Sequence, residues 1–133
     1  MIALVASWHE RHPAVRDSLE GLLAEGHRLA VSAHSLVEAY AVLTRLPAPY
    51  RVAPAAAHDL IQKNFANASV APLTASGYWR LLQNCAKHGV AGGRSYDALI
   101  AHAAQRFAPC LLLTLNARHF AALDAPGITV IEP

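Results

Sequence analysis

Apolar positions along the chain fall into short runs separated by polar punctuation, and their spacing alternates between helical and strand-like. Residues 2–8 form an apolar, helix-compatible run and residues 9–12 are polar. Pro13 suits the first turn of a second helix that runs to about Glu25 and closes at Gly26. Residues 29–31 read as a short buried strand, followed by Ser35-Leu-Val-Glu38, which has the spacing of a capping box, and a helix to about Leu46. Pro47, Pro49 and Pro54 punctuate a loop. Residues 55–65 are then helical and 70–73 form a short strand or edge segment. Thr74 is placed to cap a helix that reaches about His88 and ends in Gly89. Gly92 and Gly93 give a flexible approach to a helix over residues 96–107. Residues 111–113 are a buried strand, Asn116 begins a short helix, and residues 127–131 form the last strand.

Strands alternating with helices predict an α/β fold with a mostly parallel central sheet flanked by helices on both faces. At 133 residues the chain is expected to form one domain, residues 1–133, large enough to bury a core without crosslinks. Hydrophobic residues make up 54% and charged residues 15%, a surplus that fits a buried sheet and an oligomer interface. A formal net charge of +2 permits RNA binding without indicating it. Cys85 and Cys110 form no CxxC pair and lie in apolar patterns, which predicts reduced thiols and a reducing, cytoplasmic compartment. No run reaches the length of a membrane span.

Candidate chemistry concentrates where strands hand over to helices. Glu38, Asp97 and Asn116 stand at equivalent topological positions, and a wound sheet can gather such positions at its carboxyl edge. Their oxygens suit a hard cation, which needs only one or two protein carboxylates and keeps several waters. Taken singly, each residue also has a structural role: Glu38 completes a capping box, Asp97 complements a helix dipole, and Asn116 caps a helix. Arg94, Arg118 and His119 flank the acids and could hold a phosphate backbone. The eight histidines give only isolated pairs, His9 with His12 and Cys85 with His88, short of a zinc pattern. No serine has a GxSxG setting, and Gly92-Gly93 lacks P-loop or dinucleotide spacing.

Three segments carry a resemblance. The stretch from Ser32 to Pro47, with Glu38 inside it, resembles the segment bearing the second acid of PIN-domain proteins of the VapC toxin family. Gly92-Gly-Arg-Ser-Tyr-Asp97-Ala-Leu-Ile-Ala101 resembles the segment with their third. Leu112 to Phe120, followed by the terminal strand, resembles their closing strand and fourth polar position. The resemblance implies a metal-dependent endoribonuclease toxin, paired with a cognate antitoxin and commonly a homodimer. Glu38 and Asp97 would be ligands of Mg2+ or Mn2+, and Asn116 would stand where many relatives have aspartate. An amide oxygen there brings no charge, so metal binding is expected to be weaker than in an all-acid site. The family's first strand and its terminal aspartate are missing before residue 2, and the native reading frame is expected to extend upstream and supply them. Two other readings compete: a catalytically impaired PIN-like domain that acts as a protein-binding module, and another phosphoesterase on a similar sheet.

Overall fold

The computed structural model describes residues 1–121, 123 and 125–133. It divides into two compact units, Met1–Val70 and Ala71–Pro133.

In the first unit, α1 (Ile2–Val5) and α2 (His12–Ala24) lead into β1 (Ala30–Ser32), α3 (Ala33–Arg45), α4 (Pro54–Phe65) and β2 (Ser69–Ala71), on which the chain passes out of the unit. Helix α1 is shorter than the apolar run suggests. Ala6 turns to extended backbone at φ −96° and ψ 96°, and the His12 ring bonds the Ala3 carbonyl at 2.9 Å, which folds α2 back against the first helix. Gly26 closes the turn after α2 at φ +93°, a left-handed conformation that costs glycine little. Strands β1 and β2 pair, and the Ser69 N–H donates to the Leu29 carbonyl at 2.9 Å. Val5, Leu43, Ala57 and Phe65 form the core, with Leu29, Val31, Leu36 and Leu60 packed around them. Leu43 is fully buried, which stabilises this unit by roughly 1.5–3 kcal/mol through the apolar surface removed from water.

The expected capping box at Ser35 is corrected by the structure. Ser32, with extended backbone, is the N-cap, and α3 begins at Ala33, so strand passes into helix without a loop and Ser35 lies inside the first turn. Ser32 makes no cap bond with its side chain, and its hydroxyl oxygen is buried without a hydrogen-bond partner. Glu38 consequently stands a turn and a half into the helix, too far along to bond the cap residue.

In the second unit, α5 (Ala75–Lys87) is capped as the sequence suggests: Thr74 Oγ1 accepts from the Gly77 N–H at 3.1 Å. Gly89, at φ +63°, ends the turn that follows. Helix α6 (Arg94–Ala104) starts two residues earlier than expected and tightens into a 3-10 turn over Gln105–Phe107. Strand β3 (Cys110–Leu113), α7 (Ala117–Ala121) and β4 (Ile128–Ile131) complete the unit. Strands β3 and β4 pair in parallel, with Cys110 opposite Ile128 and Leu113 opposite Ile131, as a strand-helix-strand connection requires. Leu81, Cys85, Ala98 and Leu99 form the core between α5 and α6. Both cysteines are free thiols, Cys85 buried and Cys110 partly so. The α/β class and the parallel pairing match the sequence reading. The four strands stand as two pairs rather than one sheet, because no strand among the described residues joins β1 and β2 to β3 and β4.

Candidate active site

Asp97 lies in the first turn of α6, where a carboxylate complements the positive end of the helix dipole. The approach is set by Gly92, at φ +58°, and by the Ser95 hydroxyl, which donates to the Gly92 carbonyl at 2.8 Å. Ala98 and Leu99, the next two residues, are buried in the core. They fix the rotation of the helix and leave the Asp97 side chain 18% exposed at the edge of the packed region.

The second part of the site follows β3. The Asn116 N–H donates to Thr114 Oγ1 at 3.1 Å, and its carbonyl accepts from the His119 N–H at 2.9 Å. Asn116 thus starts α7 through its backbone, while its exposed side chain makes no hydrogen bond among the described residues. One turn on, buried Phe120 anchors the short helix, and α7 packs against α6. This packing delivers His119 to Asp97, with Nδ1 3.0 Å from Oδ2. An ionised carboxylate can only accept, so the imidazole donates to it from Nδ1. The His119 side chain is 34% exposed.

Among the sequence-derived candidates, the second unit therefore joins Asp97 to His119 and sets Asn116 one helical turn before that histidine. Arg94 and Arg118 are both exposed, on α6 and α7 respectively. Glu38 belongs to the first unit and is exposed on α3. Burial holds the Met1 amino group below its ordinary value of 8.0, and the charge of Glu38 acts in the opposite direction. His119 was legible as a neighbour of Asn116, but its pairing with Asp97 was not, since no periodicity links positions 22 residues apart.

Carboxylate and amide oxygens are the donors that a hard divalent cation prefers, so the side chains of Asp97 and Asn116 in the second unit are of a type that fits such an ion, and Glu38 in the first unit is of the same type. Among the described residues no group of three or more histidine, cysteine, aspartate or glutamate side chains is close enough to hold one. The histidines of the possible zinc pairs are engaged elsewhere: His9 Nδ1 accepts from the Arg11 N–H, and the His88 ring bonds the Asn84 carbonyl.

Comparison with known proteins supplies the relationship that geometry alone does not. The family model described as "PIN domain" matches residues 1–126. Ribonuclease VapC40 of Mycobacterium tuberculosis is 37% identical over 118 residues, which span 89% of this chain and 82% of the relative. Ribonuclease VapC27 of the same organism is 35% identical over 133 residues, spanning 98% of this chain and 89% of the relative. No solved structure gives a significant match. With a family match across almost its full length and relatives of this identity and coverage, the chain belongs to the PIN-domain family, in its VapC group.

Proposed function

We propose that this chain is a divalent-metal-dependent endoribonuclease, the toxin of a toxin–antitoxin pair, that hydrolyses RNA phosphodiester bonds. The observation that carries this reading is the half-buried Asp97 carboxylate, fixed at a helix start by His119, in a chain whose relatives are named ribonucleases. Asp97 and Glu38 are assigned as the acids that hold the ion, Mg2+ or Mn2+, and Asn116 as a neutral oxygen donor. When bound, such an ion supplies positive charge for phosphoryl oxygens and a more acidic water. Arg94 and Arg118, exposed on α6 and α7, contribute phosphate contacts that orient the backbone of an RNA strand without reading its sequence. His119 holds Asp97 through Nδ1, which leaves its second ring nitrogen for the phosphate contact also assigned to it.

The further assignments are a single PIN-like domain over residues 1–133, a cognate antitoxin as protein partner, and a homodimer as the assembled form. No helix among the described residues is long and apolar enough to cross a membrane. Purified chain incubated with a mixed RNA pool and Mg2+ tests the activity. Cleavage that stops with EDTA is the expected result, and cleavage that continues at an unchanged rate in EDTA would overturn the metal dependence. A folded chain that binds a partner but leaves RNA intact would favour the binding-module reading instead.

A further inference from the structure

We infer that His119 is the positioning residue of the acidic site: its Nδ1–H holds Oδ2 of Asp97 and leaves Oδ1 as the oxygen offered to a divalent ion. This inference rests on the metal-dependent reading above and adds a residue to it. Three observations support it. The contact is short, at 3.0 Å, and joins two separate helices, so it is made by tertiary packing and not by local chain geometry. The carboxylate is the more enclosed partner, at 18% exposure against 34% for the imidazole, so the bond is shielded at the edge of the packed region rather than fully solvated. Among the described residues, His119 is the one hydrogen-bond partner of the Asp97 carboxylate, which leaves Oδ1 unengaged.

A carboxylate with one oxygen tied has lost its rotation about the Cβ–Cγ bond and presents a single defined donor. Hydrogen bonds of this kind to ligating groups typically carry about ten- to a hundredfold in metal affinity. Exposed Arg118, one residue earlier on α7, is left available for phosphate, which divides the work of that short helix between two adjacent side chains.

The test exploits the stereochemistry of the ring. Asparagine carries its N–H donor on the same Cγ atom as histidine Nδ1, whereas glutamine carries it one atom further out. The full chain, His119→Ala, His119→Gln and His119→Asn are titrated with Mn2+, free ion being read from its paramagnetic resonance signal, and the melting temperature of each protein is recorded. The expected result is about a ten- to a hundredfold loss of Mn2+ affinity in His119→Ala and His119→Gln, with affinity largely restored in His119→Asn. General loosening of the fold would strike both amide variants alike, so their separation reports the position of the donor. Mn2+ affinity unchanged in His119→Ala, or asparagine no better than glutamine, would overturn the inference while leaving the metal reading intact. A full chain that binds no Mn2+ would sink the metal reading and this inference with it.

Discussion

Gly127 lies so close to Ala108 that a Cβ built on it would sit 2.8 Å from the Ala108 Cβ, and its backbone is left-handed at φ +77°. The two residues stand at the entrances of the paired strands, where the Cys110 N–H donates to the Gly127 carbonyl at 3.0 Å. Register between β3 and β4 thus depends on a residue with no side chain. Gly127→Ala should destabilise the chain by roughly 1–3 kcal/mol, because it adds an unfavourable backbone conformation to a contact with a side chain that cannot swing away. Gly21→Ala provides the opposite case. That glycine lies inside α2 with nothing within 4 Å of a built Cβ, so alanine should stabilise by roughly 0.5–1 kcal/mol. Urea unfolding of both variants checks the pair of signs.

Two hydroxyl residues occupy helix N-caps and should respond differently to the same change. Thr74 accepts the Gly77 N–H, so Thr74→Ala should cost about 1 kcal/mol. Ser32 makes no cap bond, and its buried oxygen has no partner, so Ser32→Ala should be neutral or stabilising by up to about 1 kcal/mol. Equal destabilisation by the two substitutions in chemical unfolding would show that Ser32 is satisfied after all.

Burial pushes the Cys110 thiol above its ordinary value of 9.0, and its Sγ approaches the Ala104 carbonyl at 3.5 Å. The sign of the linkage follows. Above 9.0 the unfolded thiol gives up its proton while the folded one keeps it, so the unfolded state binds fewer protons and stability falls as pH rises toward the folded value. Below 9.0 the stabilisation is fully present. Melting curves of wild type and Cys110→Ala should therefore converge in the alkaline range, and a constant gap between them through that range would refute the assignment.

The elements were legible where pattern and punctuation agreed. Gly26 and Gly89 ended helices through their left-handed conformations, Thr74 capped one, and the apolar run at residues 110–113 paired in parallel as expected. Sequence misled where a strand passed directly into a helix. Ser35-Leu-Val-Glu38 has the right spacing for a cap, but the extended backbone at Ser32 had already begun the helix. The length of α1 was overestimated because its end is set by His12 bonding the Ala3 carbonyl, a contact between residues in two helices. For the same reason Glu38 and Asn116 were visible from their positions after strands and Asp97 from its place at a helix start, although α6 follows α5 rather than a strand, whereas the His119 contact to Asp97 depends on how α7 packs on α6.

The most direct test of the central proposal is single-turnover RNA cleavage in Mg2+ by the native chain and by Asp97→Asn. That substitution keeps the shape of the side chain and an oxygen for the His119 donor, but removes the negative charge. Several kcal/mol of transition-state stabilisation depend on the bound ion, so the rate should fall on the order of a hundredfold or more, with the melting temperature little changed. Undiminished cleavage by a folded Asp97→Asn chain would contradict the assignment of Asp97 as the acid on which the reaction depends.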